Sequence, residues 1–225
     1  MKFVIIGGDA AGMSAASRAK RQMPEMDVVV LETTEDVSYS ACGMPYNIAD
    51  ADRDMDDLVV RTADVFRKKQ GIDLRTGYHV ESIDTTSRII SGTIHPDHEP
   101  FRCPYDRLLI ATGGRPKIPA LPGFDLPGVL ALKSLDDGRK IKTYIQTHAV
   151  KKAVIVGMGY IGLEMAEALR ERNIAVDMVK PGPDLLPWMN RELAHVVEKE
   201  LIDNRVGLHP GCSITGIEKT ATGLE

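Results

Sequence analysis

The chain of 225 residues is poor in cysteine, in aromatic residues and in surplus positive charge. Its three cysteines, Cys42, Cys103 and Cys212, are an odd number. They are too few for a disulfide framework and fit a reducing, cytoplasmic setting. Aromatics make up 5% of the chain, which leaves little material for base-stacking surfaces. Lysine and arginine number 28 against 32 aspartates and glutamates, a net charge of -4. No basic excess is left to neutralise phosphate backbones or anionic lipid. No apolar run approaches the roughly 20 residues of a membrane-spanning helix, and Phe3-Val4-Ile5-Ile6 is too short for a signal core. Neither nucleic acid nor membrane is therefore an expected partner. What is present, 43% hydrophobic and 27% charged residues with 20 Gly and 13 Pro, is the composition of an ordinary globular protein.

The pattern along the chain is α/β. Lys2 to Ile6 is an apolar, β-branched run that leads into Gly7-Gly8-Asp9-Ala10-Ala11-Gly12 and then a helix-competent stretch ending near Gln22. Val28 to Leu31 reads as a second, buried parallel strand, and it ends at Glu32, about 20 residues past the glycines, where a ribose-binding acid stands in dinucleotide folds. A short amphipathic helix is expected over Arg61 to Gln70 and an antiparallel meander over about residues 76–104, followed by a buried strand Leu108-Leu109-Ile110 that ends in Ala111-Thr112-Gly113-Gly114. Pro116, Pro119, Pro122 and Pro127 with Gly123 and Gly128 read as a linker. The expected domains are residues 1–117 and 118–225. In the second, Ala153 to Val156 leads into Gly157-Met158-Gly159-Tyr160-Ile161-Gly162, a helix to about Arg172 and a strand Ala175 to Val179. The chain is expected to stop within this second unit, and Leu224-Glu225 reads as a cloning remnant.

Gly157, Gly159 and Gly162 fulfil the dinucleotide fingerprint: one glycine for the turn, one for close approach of backbone amides to a pyrophosphate, one for helix-on-strand packing. The first turn departs from it, because Asp9 stands where the second glycine is expected. Strand Ala175 to Val179 ends at Lys180, which cannot accept a hydrogen bond from a ribose 2′-hydroxyl and favours a 2′-phosphate. Cys42 lies in Ser38-Tyr39-Ser40-Ala41-Cys42-Gly43-Met44-Pro45-Tyr46, a loop starting from the carboxyl ends of the strands, where ligands of open α/β sheets bind. It is the candidate reactive thiol; Cys103 and Cys212 are expected to be structural. Arg18 and Arg21, three apart on a helix, share a face that is either a phosphate site or a solvated surface. His95, His98 and Cys103 lack a fourth ligand, so no metal is expected.

With these four motifs in order, the chain resembles the single-cysteine, FAD-dependent pyridine nucleotide-disulfide oxidoreductases, above all the coenzyme A-disulfide reductases and persulfide or polysulfide reductases. The resemblance covers nearly the whole chain but only the amino-terminal half of such an enzyme. A second FAD segment and a dimerisation domain complete the family members, which are expected to be homodimers. It implies tandem Rossmann-like, three-layer FAD- and NAD(P)-binding domains. By resemblance, Gly7, Asp9, Ala10, Ala11 and Gly12 line the FAD pyrophosphate, Glu32 the adenosine ribose, and Val80 with Ala111, Thr112 and Gly113 the adenine and pyrophosphate side. Gly157, Gly159, Tyr160, Ile161, Gly162 and Glu164 serve NAD(P)H, with Tyr160 and Glu164 beside the nicotinamide. Arg18, Arg21, Ser38 and one of Lys68 or Lys69, of which Lys69 is the candidate, hold coenzyme A, and Cys42 is the redox thiol that meets a small-molecule disulfide or persulfide. Two rival readings follow. One is an NADH oxidase or peroxidase, in which a histidine usually stands at the position of Ala10 and the cysteine cycles through a sulfenic acid; the other is a nucleotide-binding fragment without catalysis.

Overall fold

The computed structural model describes residues 1–220, 223 and 224; Glu225 of the suspected remnant lies outside them. Along the chain run β1 (Lys2–Ile6), α1 (Ala10–Gln22), β2 (Asp27–Leu31), α2 (Met44–Ala49), α3 (Ala63–Gln70), β3 (Asp73–Arg75), β4 (Tyr78–Asp84), β5 (Ile89–Ile94), β6 (Glu99–Pro104) and β7 (Arg107–Ile110). They are followed by α4 (Leu135–His148), β8 (Lys152–Val156), α5 (Tyr160–Glu171), β9 (Ala175–Lys180), α6 (Arg191–Asp203) and β10 (Val206–Pro210). Two units form: Met1–Ser40 with Asp56–Arg115, and Ala41–Met55 with the chain from Pro116 on. The segment Ala41–Met55, which the sequence reading leaves in the first domain, thus groups with the second unit.

In the first unit a parallel sheet of order β3-β2-β1-β7 is built from β-branched strands. Alternate residues face opposite ways. Ile5, Val28, Val30 and Leu74 pack with Met13 and Ala16 of α1 and Phe66 of α3. Val4, Ile6, Val29 and Leu31 pack against Ile90 and Cys103 of the meander. The meander is antiparallel, in the order β4-β5-β6. Helices, sheet and meander are the three layers expected from the sequence. Full burial of each such aliphatic side chain is worth about 1.5–3 kcal/mol. Helix α3 starts at Ala63, two residues inside its expected start, and stops where Gly71 takes a left-handed conformation (φ 62°).

The second unit carries a parallel sheet of order β10-β9-β8. Val176 and Met178 of β9 are buried, whereas Val154 and Val156 of β8 are 55% and 52% exposed. Helix α4 begins with a capping box: Ser134 Oγ accepts from the Asp137 amide (3.2 Å) and Asp137 Oδ2 accepts from the Ser134 amide (2.8 Å). No described helix is long and apolar enough to cross a membrane.

Asp177 ties the three strands of this sheet together. Its carboxylate meets Lys152 of β8 at 2.7 Å and His209 of β10 at 3.1 Å. The Lys152 hydrogen bond first, then that of His209, holds the carboxyl below its usual range. A depressed folded-state pKa adds stability above the unfolded value, about 3.9, which is lost as pH falls through the lowered folded value. Asp177→Asn should therefore lower the urea midpoint at neutral pH, and the gap to the unmutated chain should close as pH falls through the lowered folded-state value of the carboxyl. A gap that persists below that value would assign the loss to packing.

Candidate functional site

Two glycine turns of one design lie in the two units, 150 residues apart in sequence. In the first, Gly7 has φ 107°, its amide donates to the Leu31 carbonyl (2.8 Å), and a Cβ there would stand 2.3 Å from the Ala111 carbonyl oxygen. A Cβ on Gly12 would stand 1.9 Å from the Gly7 carbonyl oxygen. In the second, Gly157 has φ 111° and donates to the Val179 carbonyl (2.8 Å), and a Cβ on Gly162 would lie 2.4 Å from the Gly157 carbonyl oxygen. Each turn brings a helix N-terminus onto the end of its strand. The first helical hydrogen bonds are Met13 to the Asp9 carbonyl (2.9 Å) and Leu163 to the Gly159 carbonyl (3.0 Å). The amides of Ala10, Ala11 and Gly12, and of Tyr160, Ile161 and Gly162, precede these bonds and are free to donate to an anion.

Asp9 and Gly159 cap the two helices with nearly the same backbone, φ -97° and -92°. That extended conformation suits any residue, so the turn does not require glycine there, and what differs is space. At Gly159 and at Gly157 no atom lies within 4 Å of a built Cβ. At Asp9 a carboxylate fills that room, and its Oδ1 is buried without a hydrogen-bond partner among the described residues. The open cradle of the second turn fits the phosphates of a dinucleotide, whereas the orphaned Asp9 acceptor fits a hydroxyl donor of one.

Around the first turn the structure gathers most of the expected residues. The Gly8 amide donates to Glu32 Oε2 (2.7 Å), and Glu32 Oε1 accepts from the Thr34 amide and hydroxyl, both at 2.8 Å. Glu32 therefore stands anchored beside the glycines. The Ser38 amide donates to the Gly8 carbonyl (3.3 Å), and Ala111 donates to the Ile6 carbonyl (2.8 Å), which sets Thr112 beside Gly7 and leaves Thr112 and Gly113 exposed. Val80 packs on the meander side of the sheet at a register shift in β4. Arg18, Arg21 and Lys69 are exposed on α1 and α3, and among the described residues no hydrogen bond or ion pair joins them to Ser38. Lys68 is held by Asp64 at 2.9 Å.

Around the second turn Tyr160 and Ile161 are exposed. Trp188, the single tryptophan and one the sequence reading passed over, donates from Nε1 to the Tyr160 hydroxyl (2.9 Å), with ring centroids 5.6 Å apart. A lone Trp beside a proline in the loop after β9 was the available signal. Glu164 borders the groove between α5 and α6. Lys180 turns into its own loop, where Nζ donates to the carbonyls of Asp184 (2.5 Å) and Leu185 (3.3 Å).

The three thiols differ in setting. Cys42 is exposed in the turn Ala41–Gly43 that leads into α2. Cys103 is buried in the meander core, and burial pushes its thiol up. Cys212 departs from the expected structural role: it is exposed, and its amide donates to the Lys180 carbonyl (3.0 Å), beside the loop that follows β9. No group of three His, Cys, Asp or Glu gathers into a metal site among the described residues.

A family model described as pyridine nucleotide-disulphide oxidoreductase matches residues 1–225. The NAD(P)H coenzyme A polysulfide/persulfide reductase of Pyrococcus horikoshii is 40% identical over 202 residues, 89% of this chain and 44% of its own length. An NADH oxidase of Methanocaldococcus jannaschii is 36% identical over 202 residues, 89% of this chain and 45% of its own. Among solved structures, a NAD-dependent persulfide reductase from A. fulgidus superposes with a TM-score of 0.92 at 32% identity, over 98% of this chain and 41% of that one. The chain thus spans under half the length of these relatives. It belongs to the pyridine nucleotide-disulphide oxidoreductase family.

Proposed function

We propose that this chain forms the nucleotide-binding and thiol-bearing part of an FAD-dependent NAD(P)H oxidoreductase that reduces a coenzyme A disulfide, persulfide or polysulfide. The observation that carries the reading is the pair of matching glycine turns in one chain, each with free amides at a helix N-terminus. The first would hold FAD through Gly7, Asp9, Ala10, Ala11 and Gly12, with Glu32, Val80, Ala111, Thr112 and Gly113 around it. The second would hold NAD(P)H through Gly157, Gly159, Tyr160, Ile161 and Gly162, with Trp188 added as an aromatic wall. When bound, FAD supplies the two-electron link between nicotinamide and sulfur.

The chain's own chemistry is sulfur exchange. The Cys42 thiolate attacks one sulfur of the disulfide, the sulfur–sulfur bond breaks as a mixed disulfide forms, and one thiolate leaves and takes a proton from solvent. Two electrons and a proton from NAD(P)H then restore the Cys42 thiolate and release the second thiol. Arg18, Arg21, Lys69 and Ser38 would offer cationic and hydroxyl groups to a phosphate-bearing thiol such as coenzyme A. By its resemblance the intact enzyme would be a homodimer, and three free thiols suit a reducing compartment such as the cytoplasm. The oxidase reading draws on the name of the M. jannaschii relative; NADH-dependent oxygen uptake by the intact enzyme without added disulfide would favour it.

Four variants test the assignment. Cys42→Ser in the intact enzyme should keep FAD and its bleaching by NAD(P)H while disulfide turnover disappears; retained turnover would mean that the substrate reacts without a protein thiol. Gly159→Ala should leave stability within about 0.5 kcal/mol, since its backbone and surroundings accept a methyl group, yet weaken NAD(P)H binding. Gly162→Ala, forced against the Gly157 carbonyl, should instead cost about 1–3 kcal/mol of stability; equal effects of the two on melting and binding would refute the division of roles. Lys180→Glu should lower kcat/KM for NADPH relative to NADH about 10-fold or more, the worth of one charge-assisted hydrogen bond. An unchanged ratio would leave Lys180 as a loop clamp only.

A further inference from the structure

The segment that carries Cys42 is held within the second unit by groups that the proposed chemistry does not use. Lys142 of α4 is only 6% exposed. Its ammonium donates to the Asn47 carbonyl (2.9 Å), Asn47 Oδ1 (2.9 Å), the Asp50 carbonyl (2.8 Å) and the Arg53 carbonyl. Three protons thus serve four acceptors, and none of the four is a carboxylate. Burial, and then the charge of Arg172, lowers its affinity for the third proton, against the opposing pull of Asp50 and Asp54. A buried cation without a carboxylate partner is costly, and an apolar side chain in its place would leave these oxygens without their donor. What a lysine does there, and a methionine cannot, is dictate where backbone carbonyls stand.

The other contacts converge on the same stretch. Asn47 is fully buried, and its Nδ2 donates to the Asp54 carbonyl (2.6 Å). Arg172, at the end of α5, donates from Nη1 to the Ile48 carbonyl (3.0 Å). Gly138 of α4 leaves room for Met55 and Met44, since a Cβ there would lie 2.8 Å from Met55 Cε and 3.6 Å from Met44 Sδ. Two cations and a glycine from the second unit's helices therefore fix the path of residues 44–55, and α2 runs directly from the Cys42 turn.

We propose that Lys142 is a positioning residue for Cys42: its ammonium, supported by Arg172, gathers the carbonyls of residues 47–53, which fixes α2 and with it the exposed thiol in the frame of the second unit. The catalytic meaning of this rests on the reading of Cys42 as the redox thiol; the positioning itself does not. Cys42 and Cys212 are the two exposed thiols, both in the second unit, and Cys103 is buried. Nitroxide labels on the two native cysteines therefore report the place of Cys42 within that unit by double electron–electron resonance.

The unmutated chain should give one narrow distance distribution. In Lys142→Met it should broaden to about twice the width, local loosening of one segment rather than global unfolding, with the continuous-wave spectrum of a Cys212-only label unchanged. Arg172→Gln should broaden it less and in the same sense. A lysine that merely stabilised the fold would lower the melting temperature and leave the width alone, and an unchanged width in Lys142→Met overturns the proposal. If Lys142→Met does not fold, an unchanged width in Arg172→Gln overturns it equally. Because no turnover is measured, loss of the redox reading through an active Cys42→Ser enzyme leaves this result standing, and the two failures remain distinct.

Discussion

The rest of the molecule depends on how closely a helix can approach the strand before it. At Gly12 and Gly162 a side chain would collide with the carbonyl oxygen of Gly7 and Gly157. Only a bare Cα lets each helix start directly against the turn, and only that approach leaves unpaired amides at the strand end. The parallel order of both sheets puts these amides on the same edge as Glu32 in one unit and Lys180 in the other. Displacing the helix by one methyl group would spoil packing and ligand cradle together.

The two turns also show how a shared backbone is put to different chemical uses. Asp9 and Gly159 have the same conformation, so sequence at that position is free to answer to the ligand rather than to the fold. In the first unit the Gly8 amide is already committed to Glu32, and Glu32 to Thr34, which fixes the acid before anything binds. In the second unit the comparable loop is drawn together by Lys180, and Tyr160 and Trp188 form a hydrogen-bonded pair on the surface. One turn is ordered by a carboxylate, the other by a loop clamp.

Much of this was legible in the sequence, because it is local. β-branched runs, glycine spacing and the alternation of Ile89 to Ile94 identify β1, β2, β5, β7, β8 and β9, and helices α1 and α5 begin where the glycines place them. Helices α4 and α6 escaped notice although Ser134 and Asn190 are good caps, since their apolar positions are interrupted by lysine, threonine and glutamate. The allegiance of residues 41–55 was out of reach for a different reason: it is decided by Lys142 and Arg172, about 90 and 120 residues away, through backbone carbonyls that carry no side-chain signature. The position of Lys180 at the end of a strand is legible, but where its side chain turns, like the setting of Cys212, depends on a loop closed through backbone carbonyls and amides.

Among the described residues β8 is paired on one side, with β9, and it presents Val154 and Val156 to solvent. An open row of backbone donors and acceptors beside exposed valines is a template on which another chain can add. Lys152, at the start of β8, is the one charge on that strand, and its ion pair with Asp177 draws it toward the sheet. Asp177 thus bears both on the cohesion of the three strands and on the charge that the edge of the sheet presents.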